Sequence, residues 1–575
     1  MPPMASPPVV EQRDERLDEL DRLAAELIGG GRPSRVAGLL TGLDLSDLDG
    51  HPWASVLAAA ALQADAGGTD PALDHLLVSA EDEFWREGDE RGLAYVAFVR
   101  ARAAVRRGDF AQAAEWWTQT REYLGEDDGP LREISLAHLG LAAYQAGNLQ
   151  EAFATTELAL AQARQRRNRR GEGVALLYLA FFTMWMGDFA RAETLLTASR
   201  RMYREILDPV ERTEAPLVEA GLAVLHAVRT QRRSADAMFD SALRMSEAAG
   251  TEWFTAMILT LRAEAGSMWN PARSIADANM AIDYLADVMH DQLWLRWARR
   301  ALAIADVHAG NLDAAQHSLT ALLRESTNSI ERIWILLGLG DAQRRAGLTG
   351  RALDSLREAV ELADQSGSRY LQTCVACLLS AIDVDNSQAW RRRAVEVMER
   401  DPAYRRLLTS ATPLRIDAFG RGRILVGERA VKFATRHAEA AVFILALAGD
   451  DGVNAETLAE RLWPNVASSV WPGRVRTLLW QIRRSFGDES WRLERDGAVV
   501  RLDLSGAKFD VDEARDLART LLQGYAIPAE DHSQLVASLR QPLLTAYQYE
   551  EWLSDHVIEL QRLAERVALR PDLRL

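Results

Sequence analysis

Apolar residues recur every three to four positions through most of the first 400 residues, the spacing of helices with one buried face. A short turn motif interrupts these runs at intervals. Gly108-Asp109-Phe110, Gly147-Asn148-Leu149, Gly187-Asp188-Phe189, Gly310-Asn311-Leu312 and Gly347-Leu348 each follow one helical run and precede the next. An alanine stands five residues after every one of these glycines, at Ala113, Ala152, Ala192, Ala315 and Ala352. Successive glycines are 39, 40, 123 and 37 residues apart, so the long interval has room for two degenerate repeats around Arg232 and Pro271. Ahead of the turn stand Leu139-Gly140, Leu179-Ala180, Leu302-Ala303 and Leu339-Gly340, a large apolar residue followed by a small one. Glycine supplies a tight turn and the small residues let two antiparallel helices approach, so the motif is one of packing and not of catalysis.

This set of positions resembles the tetratricopeptide repeat over roughly residues 90–365, with repeats near 40 residues and without the family's Trp and Pro positions. The resemblance implies helix pairs stacked into a superhelix whose concave face is lined by the first helix of each pair. Counting back from the turns predicts Tyr95, Arg102, Arg106, Tyr144, Gln145, Phe181, Trp185, Trp297, Arg300, His308, Trp334 and Arg344 on that face. Aromatic and Arg side chains dominate binding hot spots, so the group reads as a groove for a peptide, protein or small-molecule effector. Taken singly, each also fits the repeat core. The segment from Gln388 to Thr409, with Trp390, Arg391, Arg392, Arg393, Arg405 and Arg406, reads as a capping helix and linker. Its charge is either a solvated face or a contact to acidic solenoid surface or DNA phosphate.

After Pro413 the helical period gives way to short strands over Leu414–Phe419, Arg423–Val426 and Arg429–Phe433, set off by Gly420, Gly422 and Gly427. Helical patterns follow at Arg436–Ala448, Ala455–Leu462 and Ser469–Phe486. Two further strands then flank Asp496-Gly497, a strong hairpin signal. Strands, three helices and a terminal hairpin in this order predict a winged helix. On its third helix Val475, Leu478, Leu479, Ile482 and Phe486 share the inward face. Arg474, Arg476, Thr477, Trp480, Gln481, Arg483 and Arg484 are displayed elsewhere. Arg and Gln can read G and A edges bidentately in the major groove, and Thr or Trp can contact a thymine methyl or a sugar. Arg492, Arg495 and Arg501 place further charge on the wing, suited to the DNA backbone or minor groove. The bland alternative is an amphipathic packing helix solvated by its arginines, in a module that docks protein.

Leu458-Ala459-Glu460-Arg461-Leu462-Trp463-Pro464 and Gln481-Ile482-Arg483-Arg484-Ser485-Phe486-Gly487 resemble the DNA-binding domain of Streptomyces antibiotic regulatory proteins and their OmpR-like relatives. Beyond the wing, Phe509-Asp510-Val511-Asp512, Pro542-Leu543-Leu544, Tyr547 and Glu550-Glu551-Trp552-Leu553 resemble the opening of the bacterial transcriptional activator domain. The resemblance covers about residues 411–565 and implies a reader of promoter DNA that recruits RNA polymerase. Here the repeats precede the reader, which departs from the family's order.

Composition narrows the field. The net charge of −16 opposes non-specific nucleic-acid binding by the whole surface, whereas residues Ala411 to Ser505 carry 14 basic against 12 acidic side chains, so any DNA footprint is local. No apolar run is long enough for a membrane span, and the Pro-rich start lacks the order of a signal peptide, so a cytoplasmic location is expected. Two cysteines fit a reducing compartment. Cys374 and Cys377 read as buried helix-face residues, with a redox pair as the alternative, and no metal site is completed around them. No P-loop, Rossmann fingerprint or His-Glu-x-x-His motif is present, so neither an enzyme nor a cofactor is expected.

The expected fold is therefore mainly α: a tetratricopeptide-type α-solenoid, a winged helix-turn-helix (α+β) and a short C-terminal helical segment. The divisions are a disordered N-terminus (1–12), the solenoid (13–400), the winged helix (411–505) and the activator-like segment (509–570). The function expected is sequence-specific transcription regulation, by activation, on double-stranded DNA, with a homodimer as the default since paired half-sites are common. A repeat scaffold whose winged helix docks protein is the alternative, separable by salt dependence.

Overall fold

The structure is a computed structural model describing residues 17–24, 44–66, 71–125, 130–186, 188–206, 214–228, 232–249, 252–326, 328–383, 385–398, 414–427, 429–504, 507–522 and 529–569. The N-terminus 1–12, Gly187, Arg405 and Arg406 lie outside the described residues.

Helices α1 (Pro52–Ala66) and α2 (Pro71–Glu87) precede a stack of antiparallel pairs. The pairs are α3 (Glu90–Arg106) with α4 (Phe110–Leu124), α5 (Pro130–Gln145) with α6 (Leu149–Arg166), and α7 (Arg169–Trp185) with α8 (Phe189–Glu205). Next come α9 (Ala215–Val228) with α10 (Arg232–Ala248) and α11 (Glu252–Gly266) with α12 (Pro271–Asp287). These two fill the long interval between turn glycines. The pairs α13 (Gln292–Ala309) with α14 (Leu312–Glu325) and α15 (Ser329–Arg345) with α16 (Thr349–Ser366) complete the repeats. Helices α17 (Arg369–Ile382) and α18 (Ser387–Met398) end the stack.

The turn motif works as its chemistry requires. Gly108, Gly147, Gly310 and Gly347 hold φ between 76° and 92°, where a side chain is strained. The Asp or Asn that follows caps the next helix: Asp109 accepts from Gln112 N at 3.0 Å, and Asp188 from Arg191 N at 3.0 Å. All five repeat alanines are fully buried. A Cβ at Gly140 would stand 2.0 Å from Thr156 Oγ1, and one at Gly340 2.7 Å from Leu356 Cγ, so the small residue is where the second helix seats.

The superhelix is wound tightly enough for successive turns to touch. Asn328 caps α15, accepting from Ile330 N and Glu331 N, and its amide also donates to the Tyr144 and Gln145 carbonyls at the end of α5. Ser368 caps α17 and donates to the Trp185 carbonyl at the end of α7. Both links join residues 183 positions apart, and α3 meets α13 in the same way, so one superhelical turn takes five helix pairs.

The C-terminal unit begins with β1 (Leu414–Asp417), β2 (Arg423–Val426) and β3 (Arg429–Ala430), an antiparallel meander. Helix α19 (Arg436–Ala448), strand β4 (Val453–Asn454), α20 (Ala455–Leu462) and α21 (Trp471–Phe486) follow. The hairpin of β5 (Leu493–Asp496) and β6 (Val499–Leu502) then pairs with β4 in the order β4-β6-β5. This is the winged helix, with the Asp496-Gly497 turn at its wing. Strand β7 (Lys508–Phe509) returns parallel to β1 and leads into α22 (Asp510–Leu522), α23 (Ala529–Leu539) and α24 (Ser554–Ala568). The C-terminal helical segment is built onto the winged helix. Asp510 accepts from Ala418 N and Phe419 N, Leu544 N donates to Ala418 O at 2.8 Å, and Tyr547 Oη donates to Glu439 at 2.8 Å. One hydrophobic core runs from Leu414 through Phe443 and Phe486 to Val567.

Candidate nucleic-acid interface and solenoid interior

Helix α21 is amphipathic because its apolar residues fall on one stripe. Val475, Leu478, Leu479, Ile482 and Phe486 are buried against α19, α20 and the wing sheet. Its outward face is a row of cations and one indole. Arg474, Arg476, Thr477, Arg483 and Arg484 are exposed, and Trp480 is 57% exposed with the Arg484 guanidinium 5.3 Å from its ring centre. Arg474 lies 5.5 Å over Trp463, whose ring in turn meets His437 at 5.5 Å, so the Trp463-Pro464 turn positions the start of α21. Gln481 is half-buried and accepts from Thr435 Oγ1 at 3.3 Å. Thr477 Oγ1 donates back to the Gly473 carbonyl at 3.1 Å, and Arg483 donates to Leu493 O at 2.9 Å, tying helix to wing.

The wing carries two of the three arginines expected there. Arg495 is exposed and donates to Gly497 O at 3.1 Å, and Arg501 sits 3.7 Å from Asp496. Arg492 is a correction. It is fully buried, donates to Glu489 at 2.6 Å and to Asp503 O at 3.0 Å, and braces the base of the wing where no phosphate can reach it.

In the solenoid several of the expected concave residues are engaged by neighbouring repeats or by the next superhelical turn. Tyr95, Arg106, Tyr144 and Arg300 are corrections, each at most 5% exposed. Tyr95 packs edge-on to Trp53, Arg106 lies 4.8 Å over Trp253, and Tyr144 stacks on Phe182 at 4.9 Å. Arg300 makes a bidentate pair with Glu264 (3.0 and 2.8 Å) and lies over Trp297 and Trp334. Trp185, Trp297 and Trp334 are half-buried and meet edge to face, at 5.9 Å for Trp185 with Trp297 and 5.3 Å for Trp185 with Trp334. Phe181 is half-buried, and Gln145 gives its carbonyl to Asn328. His308 takes a contact from Arg345 at 3.2 Å, and burial, with Arg345 beside it, pulls its pKa down to about 4, so it is neutral at pH 7. Arg344 is held by Asp341 at 2.6 Å. Arg102 is half-buried, and burial followed by the nearby Arg170 charge lowers its pKa. Cys374 and Cys377 are free thiols buried in α17, and no group of metal-ligand side chains occurs among the described residues.

The sequence carries no signal for the contact between solenoid and winged helix. Arg233 at the start of α10 donates to the Leu447 and Ala448 carbonyls (3.3 and 3.2 Å), capping the C-terminal end of α19. Gly449, with φ 62°, leaves the space it needs, since a Cβ there would lie 3.0 Å from the guanidinium carbon. Asn270 caps α12 and donates to Thr520 Oγ1 at 2.8 Å. Asp236, paired to Arg273 within the solenoid, also takes Arg519 of α22 at 2.6 Å. Burial, and then the neighbouring Asp236 carboxylate, pushes Asp516 up to about 7. Asn270 before Pro271 was readable as a helix cap; its second partner, 250 residues away, was not. The junction uses α19's end and α22, and leaves the outward face of α21 uncovered.

No protein-family model matches this chain, and no curated protein does. Among solved structures, the chain is similar to a Rap protein complexed with competence and sporulation factor, at 12% identity and a TM-score of 0.40, covering 69% of this chain and 100% of that one. It is also similar to the APC/C hetero-tetramer Cut9–Hcn1, at 14% identity and a TM-score of 0.43, covering 70% and 74%. No helix among the described residues is long and apolar enough to cross a membrane.

Proposed function

We propose that this chain is a sequence-specific DNA-binding regulator of transcription, in which α21 enters the major groove and the β5–β6 wing lies on the flanking backbone. The observation that carries this reading is the outward face of α21. Arg474, Arg476, Trp480 and Arg484 are exposed, no carboxylate pairs with them among the described residues, and a wing bearing Arg495 and Arg501 stands beside them. Guanidiniums elsewhere in the molecule are commonly matched with carboxylates, as at Arg262 with Asp277 or Arg170 with Glu214. A row left unmatched on a helix of this fold suits phosphates and base edges. The solenoid is the effector-responsive part, acting on the reader through the junction. Recruitment of RNA polymerase is the output that the resemblance of residues 509–570 suggests, and a homodimer is the simplest way to read two half-sites.

Selection of full-length protein on a random duplex pool at two salt concentrations tests this. Enrichment of a defined motif, with affinity falling as salt rises, is the expected result. Retention of no sequence at either salt would leave the winged helix as a protein-docking module.

A further inference from the structure

The solenoid edge formed by the ends of α4, α6 and α8 and the starts of α5, α7 and α9 is coated with arginine. Residues 164–205 carry nine arginines and four carboxylates, in a chain whose net charge is −16. The turn from α6 to α7 holds five of the arginines between Arg164 and Arg170, and the end of α8 adds three between Arg200 and Arg204. Ion pairs join neighbouring turns into one row: Arg166 meets Glu133 of α5 at 3.5 Å, Arg169 meets Glu205 at 3.6 Å, and Arg200 meets Glu219 of α9 at 3.6 Å. Most of the carboxylates lie beneath. Glu133, Glu172 and Glu219 are at most 16% exposed, whereas the guanidiniums over them are 31–56% exposed. Arg167 and Arg204 are exposed, and their side chains have neither ion pair nor hydrogen bond among the described residues. The row continues to Arg121 and Arg132, half-buried neighbours whose Nε–H groups are buried without an acceptor. Burial, and then the Arg132 charge, lowers the Arg121 pKa.

We propose that this edge docks an acidic polypeptide segment of a partner protein, laid across α5, α7 and α9 with its carboxylates on Arg132, Arg167 and Arg204. The row spans three successive helix pairs, about 20 Å at ordinary helix spacing, which an extended segment of about six residues covers and a compact ligand does not. Guanidinium forks match carboxylates in geometry as well as charge, and the fold already engages this row from below in that way, as at Arg164 with Glu172 (2.9 Å). A basic partner is repelled by the same surface. The winged helix joins the solenoid at the starts of α10 and α12, whereas the row lies at the ends of second helices, about 25 Å away along a 17-residue helix. The row is therefore not a continuation of the cationic face of α21, and the proposal stands apart from the DNA-binding reading.

Fluorescence anisotropy of a labelled glutamate dodecapeptide, titrated with the full-length chain at low ionic strength, tests the proposal without reference to DNA. Saturable binding that weakens as salt rises is expected in the wild type. Arg167→Glu with Arg204→Glu should weaken it about tenfold, the effect of removing two exposed attractions and adding two repulsions. The melting temperature should not change, because neither side chain has a partner to lose. Arg299→Glu with Arg351→Glu, an equal change of charge at exposed positions of α13 and α16, should leave peptide binding intact. Absence of saturable binding, unchanged binding in the first double variant, or equal weakening by both would overturn the site. So would displacement of the peptide by an oligothymidylate at lower concentration than by unlabelled peptide, which would make the edge a contact for nucleic-acid backbone.

Discussion

The solenoid interior and the outward face of α21 are made from the same residue types, Trp and Arg, yet they differ in what surrounds them. In the interior, Arg300 has Glu264 as an ion-pair partner and two indoles above it, and Trp185, Trp297 and Trp334 fill one another's space. On α21, Arg476 and Arg484 meet solvent and Trp480 is covered only by an arginine. Residue type therefore marks both an open face and a closed core. The difference lies in whether the fold supplies a partner, and that is settled by contacts between segments far apart in sequence.

Substitution in the two regions should separate stability from binding. Arg300→Ala removes a guanidinium that is 2% exposed and strands Glu264, so a loss of about 3–5 kcal/mol in urea unfolding is expected. Arg476→Ala with Arg484→Ala should do the opposite. Stability should stay within about 0.5 kcal/mol, because neither side chain packs inward, while duplex affinity falls by about 1–3 kcal/mol per base-contacting arginine. Unfolding curves and fluorescence anisotropy on the same preparations check both. A destabilised α21 double variant with unchanged DNA affinity would erase the distinction.

Much of the local structure was legible before any contact was known. The helices at Arg436–Ala448 and Ala455–Leu462 begin and end where the pattern predicts, since Thr435 and Asn454 are strong caps and Gly449 is a strong stop. The five buried residues of α21 are the five on the predicted stripe. The third helix starts at Trp471, after a tight turn over Ser468–Val470, two residues later than the apolar pattern suggests. Arg492 could not be placed: an arginine beside a wing looks the same in sequence whether it faces phosphate or folds back on Glu489. Nor could the closing of the solenoid, which depends on the rise and rotation accumulated over five helix pairs.

Three of the side chains that join distant segments are helix caps used twice. Asn328, Ser368 and Asn270 each accept from the first turn of their own helix and donate to a distant segment. Asn328→Ala should cost about 1 kcal/mol for the cap alone. Asn328→Asp separates the two roles, because a carboxylate still caps α15 but cannot donate to Gln145 and sets its charge against that carbonyl. Urea unfolding should therefore find Asn328→Asp no more stable than Asn328→Ala, despite its better cap. If the Asp variant matches the wild type, the link between superhelical turns contributes nothing.

The junction tests how solenoid and winged helix differ where they meet, because its charge is adjustable. Asp516 faces Asp236 across the junction and is surrounded by Arg519, Asp512 and Arg232. Its carboxyl is raised to about 7 in the folded chain from an ordinary value near 3.8. A raised folded value means that the native state holds the proton more tightly than the unfolded one. The contribution of Asp516 is then fully present below about pH 4 and is lost as pH rises through about 7. The melting temperature of the wild type should fall over that interval relative to Asp516→Asn, which stays neutral throughout. Parallel curves for the two proteins between pH 5 and 8 would mean that the junction is insensitive to this proton, and that the Asp516 carboxyl plays no part in coupling the solenoid to the winged helix.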